Sequence, residues 1–240
     1  MPMDLLAHIA EAHGLTLDGR QREQFEEYYR LLIAANQRMN LTTVTAYEEV
    51  QRRHFGESLA VAAALYRADL LPPGQAAGVI DLGAGAGFPG LPVKIAHPTL
   101  RLTLLESAAK KTAFLEQVVQ RLALQDVAVV TGRAESAAHE PAHREAYDLA
   151  LARAVASLPV LVELALPFLC LGGVLAAPKG SRAAQEVAAA APALRACGGH
   201  ILSAERLPGS LLTLVLVKKV APTPSTYPRR PGIPAKRPLR

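Results

Sequence analysis

Ile80-Asp81-Leu82-Gly83-Ala84-Gly85-Ala86-Gly87-Phe88-Pro89-Gly90 is the stretch on which the fold turns. An apolar run meets a carboxylate and then a loop dense in glycine. That pattern reads as a buried strand entering a tight turn whose backbone can approach a ligand closely. Downstream, the periodicity predicts a helix at 91–97 and a strand at 100–106, then a helix at 110–122. Strands at 127–131, 147–152 and 173–177 follow. This alternation predicts an α/β fold, a mostly parallel sheet with helices on both faces. Residues 201–207, a Pro208-Gly209 turn and residues 211–217 predict an antiparallel C-terminal addition. Upstream, Phe25, Tyr28, Tyr29, Leu32 and Ile33 recur at helical spacing within 17–39, and a second helix at about 46–68 stops before Pro72-Pro73-Gly74. The chain therefore divides into an N-terminal helical region at 1–73, an α/β domain at 74–220 and a proline-rich tail at 221–240.

Of the 240 residues, half are apolar and a fifth are charged, which excludes a disordered or fibrous chain. Cys170 and Cys197 are far apart and form no C-x-x-C, so a disulfide scaffold is excluded and a reducing, cytoplasmic setting is expected. The N-terminus has no basic region followed by a long apolar one, so no secretory signal is expected. Residues 158–178 are long enough to imitate a membrane span but contain Glu163, Pro167 and Gly172-Gly173. A helix to about residue 171, a Gly-Gly turn and a buried strand explain them better. The net charge is +5, yet from Lys218 onward there are seven basic residues and no acidic one, which leaves residues 1–217 at −2. The tail, with six prolines in its last twenty residues, reads as extended polyproline chain. It suits a polyanionic partner, a solubilising role or a rigid strap packed on the body, which the prolines make cheap to dock.

Gly85-x-Gly87-x-x-Gly90 also satisfies the dinucleotide fingerprint. Asp81 separates the readings, because a carboxylate at the strand end repels phosphates and suits a cation. S-adenosylmethionine carries a sulfonium and an ammonium and no phosphate. Glu106 ends the next strand, followed by Ser107, where an acid can accept from ribose hydroxyls. Gly132-Arg133-Ala134-Glu135 follows the third strand, placed to face an adenine ring. His139-Glu140-Pro141-Ala142-His143 spells a zinc-protease signature, but Pro141 breaks the helix it requires, so no metal is expected.

NLTT at 40–43, RHFGES at 53–58, IDLGAGAGFPGLP at 80–92, LLESAAKKTAFL at 104–115, GRAE at 132–135, ARAVASL at 152–158, PKG at 178–180 and YPRRPGIPAKRPL at 227–239 together resemble the bacterial 16S ribosomal RNA guanine-N7 methyltransferases, the RsmG or GidB family. Glu57 stands where the family often has Asp. The resemblance implies a class I, Rossmann-like methyltransferase domain at 74–220, with S-adenosylmethionine as donor and S-adenosylhomocysteine as product. It implies donor contacts at Gly83, Phe88, Ala134, Glu135 and Arg153, beside the Asp81, Gly85, Gly87, Glu106 and Ser107 read from the residues. The implied substrate is one guanine of 16S ribosomal RNA, in the small subunit or an assembly intermediate, met by a chain expected to be monomeric with no membrane partner.

The chemistry agrees with that expectation. Guanine N7 carries an in-plane lone pair and loses no proton on attack, so positioning replaces a general base. No Asp-Pro-Pro-Tyr or Asn-Pro-Pro-Tyr follows the fourth strand. Arg153 stands there and is the candidate at the reaction centre, holding guanine O6, a phosphate or the donor's carboxylate. Asn40, His54, Lys110, Lys179, Arg229, Arg230, Lys236 and Arg237 are the candidate RNA contacts. The rival classes are a nicotinamide-dependent oxidoreductase and a non-catalytic ribosome-binding protein. Calorimetry with S-adenosylhomocysteine and with NADH separates the first: binding of the homocysteine compound and silence with NADH are expected.

Overall fold

Gly78-Val79-Ile80-Asp81-Leu82 is buried at every position, as a strand covered on both faces must be. It forms β1 (Gly78–Leu82) in a computed structural model that describes residues 3–71 and 74–239. The other strands are β2 (Arg101–Glu106), β3 (Val127–Thr131), β4 (Tyr147–Leu151), β5 (Leu169–Lys179), β6 (Gly199–Arg206) and β7 (Thr213–Lys219). They lie in one sheet in the order β3-β2-β1-β4-β5-β7-β6. β1 to β5 pair in parallel, and β7 runs antiparallel to both β5 and β6. This is the expected mostly parallel sheet with an antiparallel strand near the C-terminus. The order reverses at β1, between β2 and β4, where an open α/β sheet leaves a crevice beyond its carboxyl ends.

The helices are α1 (Asp4–Ala12), α2 (Gly19–Met39), α3 (Tyr47–Val50), α4 (Glu57–Arg67), α5 (Gly90–Ala96), α6 (Ala109–Arg121), α7 (Ala134–Ala137), α8 (Leu158–Ala165), α9 (Ala183–Ala189), α10 (Ala191–Cys197) and α11 (Ile233–Lys236). Asp18 caps α2 in a reciprocal box with Gln21, which explains why the helix starts there. A π-helical turn, Gln51–Gly56, joins α3 to α4. The strands alternate their side chains between two cores. Val79, Leu104 and Leu149 face α2, α4, α5 and α6 through Phe25, Leu59, Leu91 and Phe114. Ile80, Leu105 and Ala150 face α8 and α10 through Leu161, Val162 and Leu194. The N-terminal helices share the first of these cores with the sheet.

The boundary at Pro72-Pro73 lies outside the described residues, as does Arg240 of the tail. Several segments differ from their sequence reading. Within 158–178 the helix ends at Ala165, and β5 begins at Leu169 with Gly172-Gly173 inside it. Two residues along β4, from Tyr147 to Leu149, span five along β5, from Leu169 to Val174, so the glycines serve a bulge and not a turn. α1, α7, α9, α10 and α11 are helices that the apolar periodicity does not predict. Of the alternatives open for the tail, the packed strap is the one observed. It lies on the body, with Thr223 and Pro234 buried and Tyr227 and Leu239 packed against the second core. Among the described residues no helix is long and apolar enough to cross a membrane.

Glu163, fully buried on α8, explains the docking of the tail. Arg229 donates to it from Nε and Nη2 at 2.9 and 2.7 Å, and the Arg229 backbone N–H adds a third bond at 2.9 Å. A buried carboxylate left without its partner is strongly destabilising. Arg229→Ala should lower the unfolding free energy by about 3 kcal/mol in urea titrations, and Glu163→Gln combined with it should recover most of that loss.

Candidate active site

The site forms where β1, β2, β3, β4 and β5 end. After Leu82 the chain must turn within a few atoms of β2. Gly83 and Ala84 donate their N–H groups to Leu105 O at 2.8 and 3.1 Å. Gly83, Gly85 and Gly87 take φ of 64°, 58° and 96°, a region that other residues resist. A Cβ at Gly85 would meet only the Gly83 carbonyl, at 3.7 Å, so this turn leaves open space beside it. At Gly90 a Cβ would sit 2.7 Å from Asp81 Oδ2, so glycine there permits the acid and the start of α5 to touch.

Asp81 is completely buried. Its Oδ2 accepts from Gly90 N–H at 2.9 Å, and its Oδ1 is a buried acceptor with no partner among the described residues. Burial pushes its carboxyl up to about 7, opposed by the Gly90 N–H and the Arg153 charge and helped by Glu106. Glu106 is also buried. Its Oε2 accepts from Gly85 N–H at 3.0 Å, while Oε1 accepts from Ala108 N–H at 2.9 Å and from Ser107 Oγ at 3.4 Å. Both acids thus brace the glycine turn, which the sequence reading of two ligand-facing carboxylates did not include.

A cavity of about 190 Å³ opens beside that turn. Gly83, Ser107, Ala134, Glu135, Val155 and Ala156 line it, so four of the expected donor contacts converge there. Phe88 is directed elsewhere. It is buried between Tyr28, stacked at 5.5 Å, and His54, stacked at 4.6 Å. The Tyr28 hydroxyl donates to the Ala86 carbonyl, which locks the loop to α2.

Arg153 follows β4 by two residues and precedes Ala154, which holds a φ of 59° that a residue with a Cβ adopts at some strain. The guanidinium spans to the π turn. Nη1 donates to Arg53 O at 3.1 Å and faces Glu57 Oε2 at 3.5 Å. Nη2 donates to His54 Nδ1 at 3.2 Å, and the group lies 5.1 Å from the Phe88 ring centre. Because arginine only donates, His54 Nδ1 is unprotonated and its Nε2–H donates to Thr42 Oγ1 at 2.7 Å. Burial and then the Arg153 charge pull His54 down to about 4, so the ring is neutral at physiological pH.

These groups edge a second, larger cleft of about 520 Å³, lined by Arg53, His54, Glu57, Arg153, Lys179 and Arg182 among others. Val155 and Ala156 line both cavities, so the two spaces meet across one turn of chain. Lys179 is nearly buried, with Nζ at 2.6 Å from Ala156 O and 3.0 Å from Glu186. It therefore props the 154–157 turn at the cleft wall.

The remaining RNA candidates scatter. Asn40 is exposed and caps α2 with a φ of 47°. Lys110 is exposed on the first turn of α6. Arg230, Lys236 and Arg237 are exposed on the tail. Besides Lys179, two candidates are engaged within the protein. Arg229 spends its guanidinium on Glu163 and the Arg237 carbonyl, and His54 has both ring nitrogens engaged within the protein. The zinc-like histidines diverge, His139 donating to Pro228 O and His143 meeting the Tyr147 hydroxyl. Sequence reasoning missed Thr42, Arg53 and Glu57 as members of the site, although NLTT and RHFGES contain them.

The family model described as GidB, rRNA small subunit methyltransferase G, matches residues 21–210. The chain belongs to this family. A relative named ribosomal RNA small subunit methyltransferase G from Roseiflexus castenholzii is 50% identical over 99% of this chain and 100% of its own length. Relatives of the same name from Chloroflexus aggregans and Brevibacillus brevis are 45% and 40% identical, covering 98% and 100% of the chain and 97% and 100% of their own. The fold is the Rossmann-like class I methyltransferase fold. A crystal structure of a SAM-dependent methyltransferase from Aquifex aeolicus superposes with a TM-score of 0.54 at 15% identity, over 72% of this chain and 98% of that one. In this GidB family chain, the matched region holds both cavities' sheet-end residues but stops before the tail.

The buried acid of the glycine turn gives a measurable pH signature. A carboxyl whose folded value is raised binds its proton more tightly in the native state, so it favours folding at low pH and loses that effect as pH rises through about 7. The stability difference between Asp81→Asn and the parent should therefore shift toward the variant from about pH 5 to pH 8 in urea titrations. A flat difference would mean that the acid is ionised throughout.

Proposed function

We propose that this chain transfers the methyl group of S-adenosylmethionine to N7 of a guanine in 16S ribosomal RNA. The observation that carries the reading is the pair of cavities joined at Val155–Ala156, one small and walled by the glycine turn, the other larger and rimmed by cations. The first fits a donor and the second an acceptor base on its phosphate backbone.

The residues present fit the donor. The open space at Gly85 admits a ligand close to the backbone, and Asp81 Oδ1 is a buried acceptor awaiting a donor such as an ammonium or a bridging water. Ala134 and Glu135 would hold the purine, and Ser107 would meet the ribose, since all three line the same cavity. When bound, S-adenosylmethionine supplies a methyl group on a sulfonium, electrophilic without further activation. The protein's contribution is alignment of a nucleophile within about 3–3.5 Å and exclusion of competing water.

Arg153 is the group for that alignment. It is fixed from three sides by Arg53 O, Glu57 and His54, so little rotamer freedom remains to be lost when a base arrives. Its guanidinium suits guanine O6, next to the N7 lone pair. His54 is neutral and already bonded on both nitrogens, so it positions the arginine and takes no proton from the base. That agrees with N7, from which no proton leaves. Arg53 and Arg182, both exposed, suit phosphates at the rim, and Arg230, Lys236 and Arg237 add exposed cations on the tail.

Two measurements check this. N7-methylguanine mapped in 16S ribosomal RNA should disappear at one site when the chain is deleted from its host. Arg153→Ala should lower methyl transfer to small subunits by about 100-fold or more at saturating donor, whereas full activity in that variant would exclude Arg153 from the reaction centre.

A further inference from the structure

The tail is tied down at successive points. Arg144 donates to the carbonyls of Tyr227, Thr223 and Pro224 at 3.0, 2.9 and 3.2 Å. His139 Nε2 donates to Pro228 O at 2.8 Å. Arg229 neutralises the buried Glu163. Gly232, at a φ of 82°, donates its N–H to Glu135 Oε1 at 2.9 Å. Each tie uses a backbone group of the tail or a buried charge of the body, so the segment's place is set by specific bonds. It runs through α11, whose Pro234 and Ala235 form part of the wall of the 190 Å³ cavity, with Gly83, Ser107, Ala134 and Glu135.

We propose that residues 229–236 are a built part of the donor site: Pro234 and Ala235 complete an apolar wall for the adenine of S-adenosylmethionine, and Gly232 holds Glu135 by one oxygen so that the other serves the purine edge. The inference rests on the donor reading above and extends it to a segment that the charge pattern assigned to RNA. The chemistry fits a flat, weakly polar ring. Leu105, Val160 and Leu164 line the same cavity, so apolar groups from β2, α8 and α11 converge on it. Desolvating both faces of a purine strengthens binding in proportion to the apolar area covered. The tail tethers are also independent of the catalytic cleft, since Glu163, Arg144 and His139 do not line it.

Hydrogen exchange on the full chain tests the assignment directly. S-adenosylhomocysteine should slow exchange of the amides around Gly232 and Ala235, and calorimetry should show Pro234→Gly binding it roughly tenfold more weakly. The wild-type exchange result stands even if the variant is poorly folded. Binding by the wild type with no protection of 229–236 would overturn the tail's role while leaving the donor reading intact. Wild-type protein that bound no S-adenosylhomocysteine would overturn both. Protection at Gly83 and Glu135 alone, with Pro234→Gly unchanged in affinity, would also overturn the tail's role.

Discussion

A guanidinium removed from bulk water must find its bonds inside the protein, and Arg153 finds them in the N-terminal helices. It bonds Arg53 O and His54, faces Glu57 and lies over Phe88. This one group ties the end of β4 to the π turn and so to everything N-terminal. Removing it would leave Glu57 half-buried without its cation and His54 without a donor. The N-terminal helices therefore do more than cover one face of the sheet. They supply the second half of the cleft.

The π turn is what lets them do so. A regular helix through 51–56 would rotate the residues after it relative to α3, whereas the wider turn inserts one residue and re-aims those that follow. Gln51 is buried there and accepts from Leu6 N–H, which anchors α1 against the turn. On the outer side, Ser210 of the β6–β7 connection donates to Glu57 Oε1 at 3.2 Å. The arginine's carboxylate partner is thus held from a third element, and the site's charge balance is distributed over segments far apart in the chain.

The same logic appears at the other end. Glu163 sits on the all-apolar face of α8, where an unpaired carboxylate would be costly, and the tail supplies the counter-charge. An apparent basic arm becomes a structural strap because one buried acid requires it. Lys219, buried with its Nζ on Glu145 and on the carbonyls of Leu166 and Leu169, repeats the pattern. The C-terminal basic residues therefore divide between internal neutralisation and an exposed surface.

Much was legible from local pattern. The short apolar runs at 79–82, 127–130 and 147–152 are strands as their length and flanking turns predict, and the glycine turn with Asp81 and Glu106 marks the carboxyl end of the sheet, because backbone angles and side-chain alternation depend on neighbours a few residues away. What local pattern does not carry is the identity of a distant partner. His54 meets Arg153 across 99 positions, Gly232 meets Glu135 across 97, and Arg229 meets Glu163 across 66. These contacts exist because each buried charge or donor must be satisfied by whatever the fold brings within bonding distance. The sequence by itself determined the α/β sheet and its glycine-lined edge. Only the tertiary structure decided that the tail packs inward, that His54 is a prop for Arg153, and that both acids brace the loop, since desolvation is a property of the assembled interior.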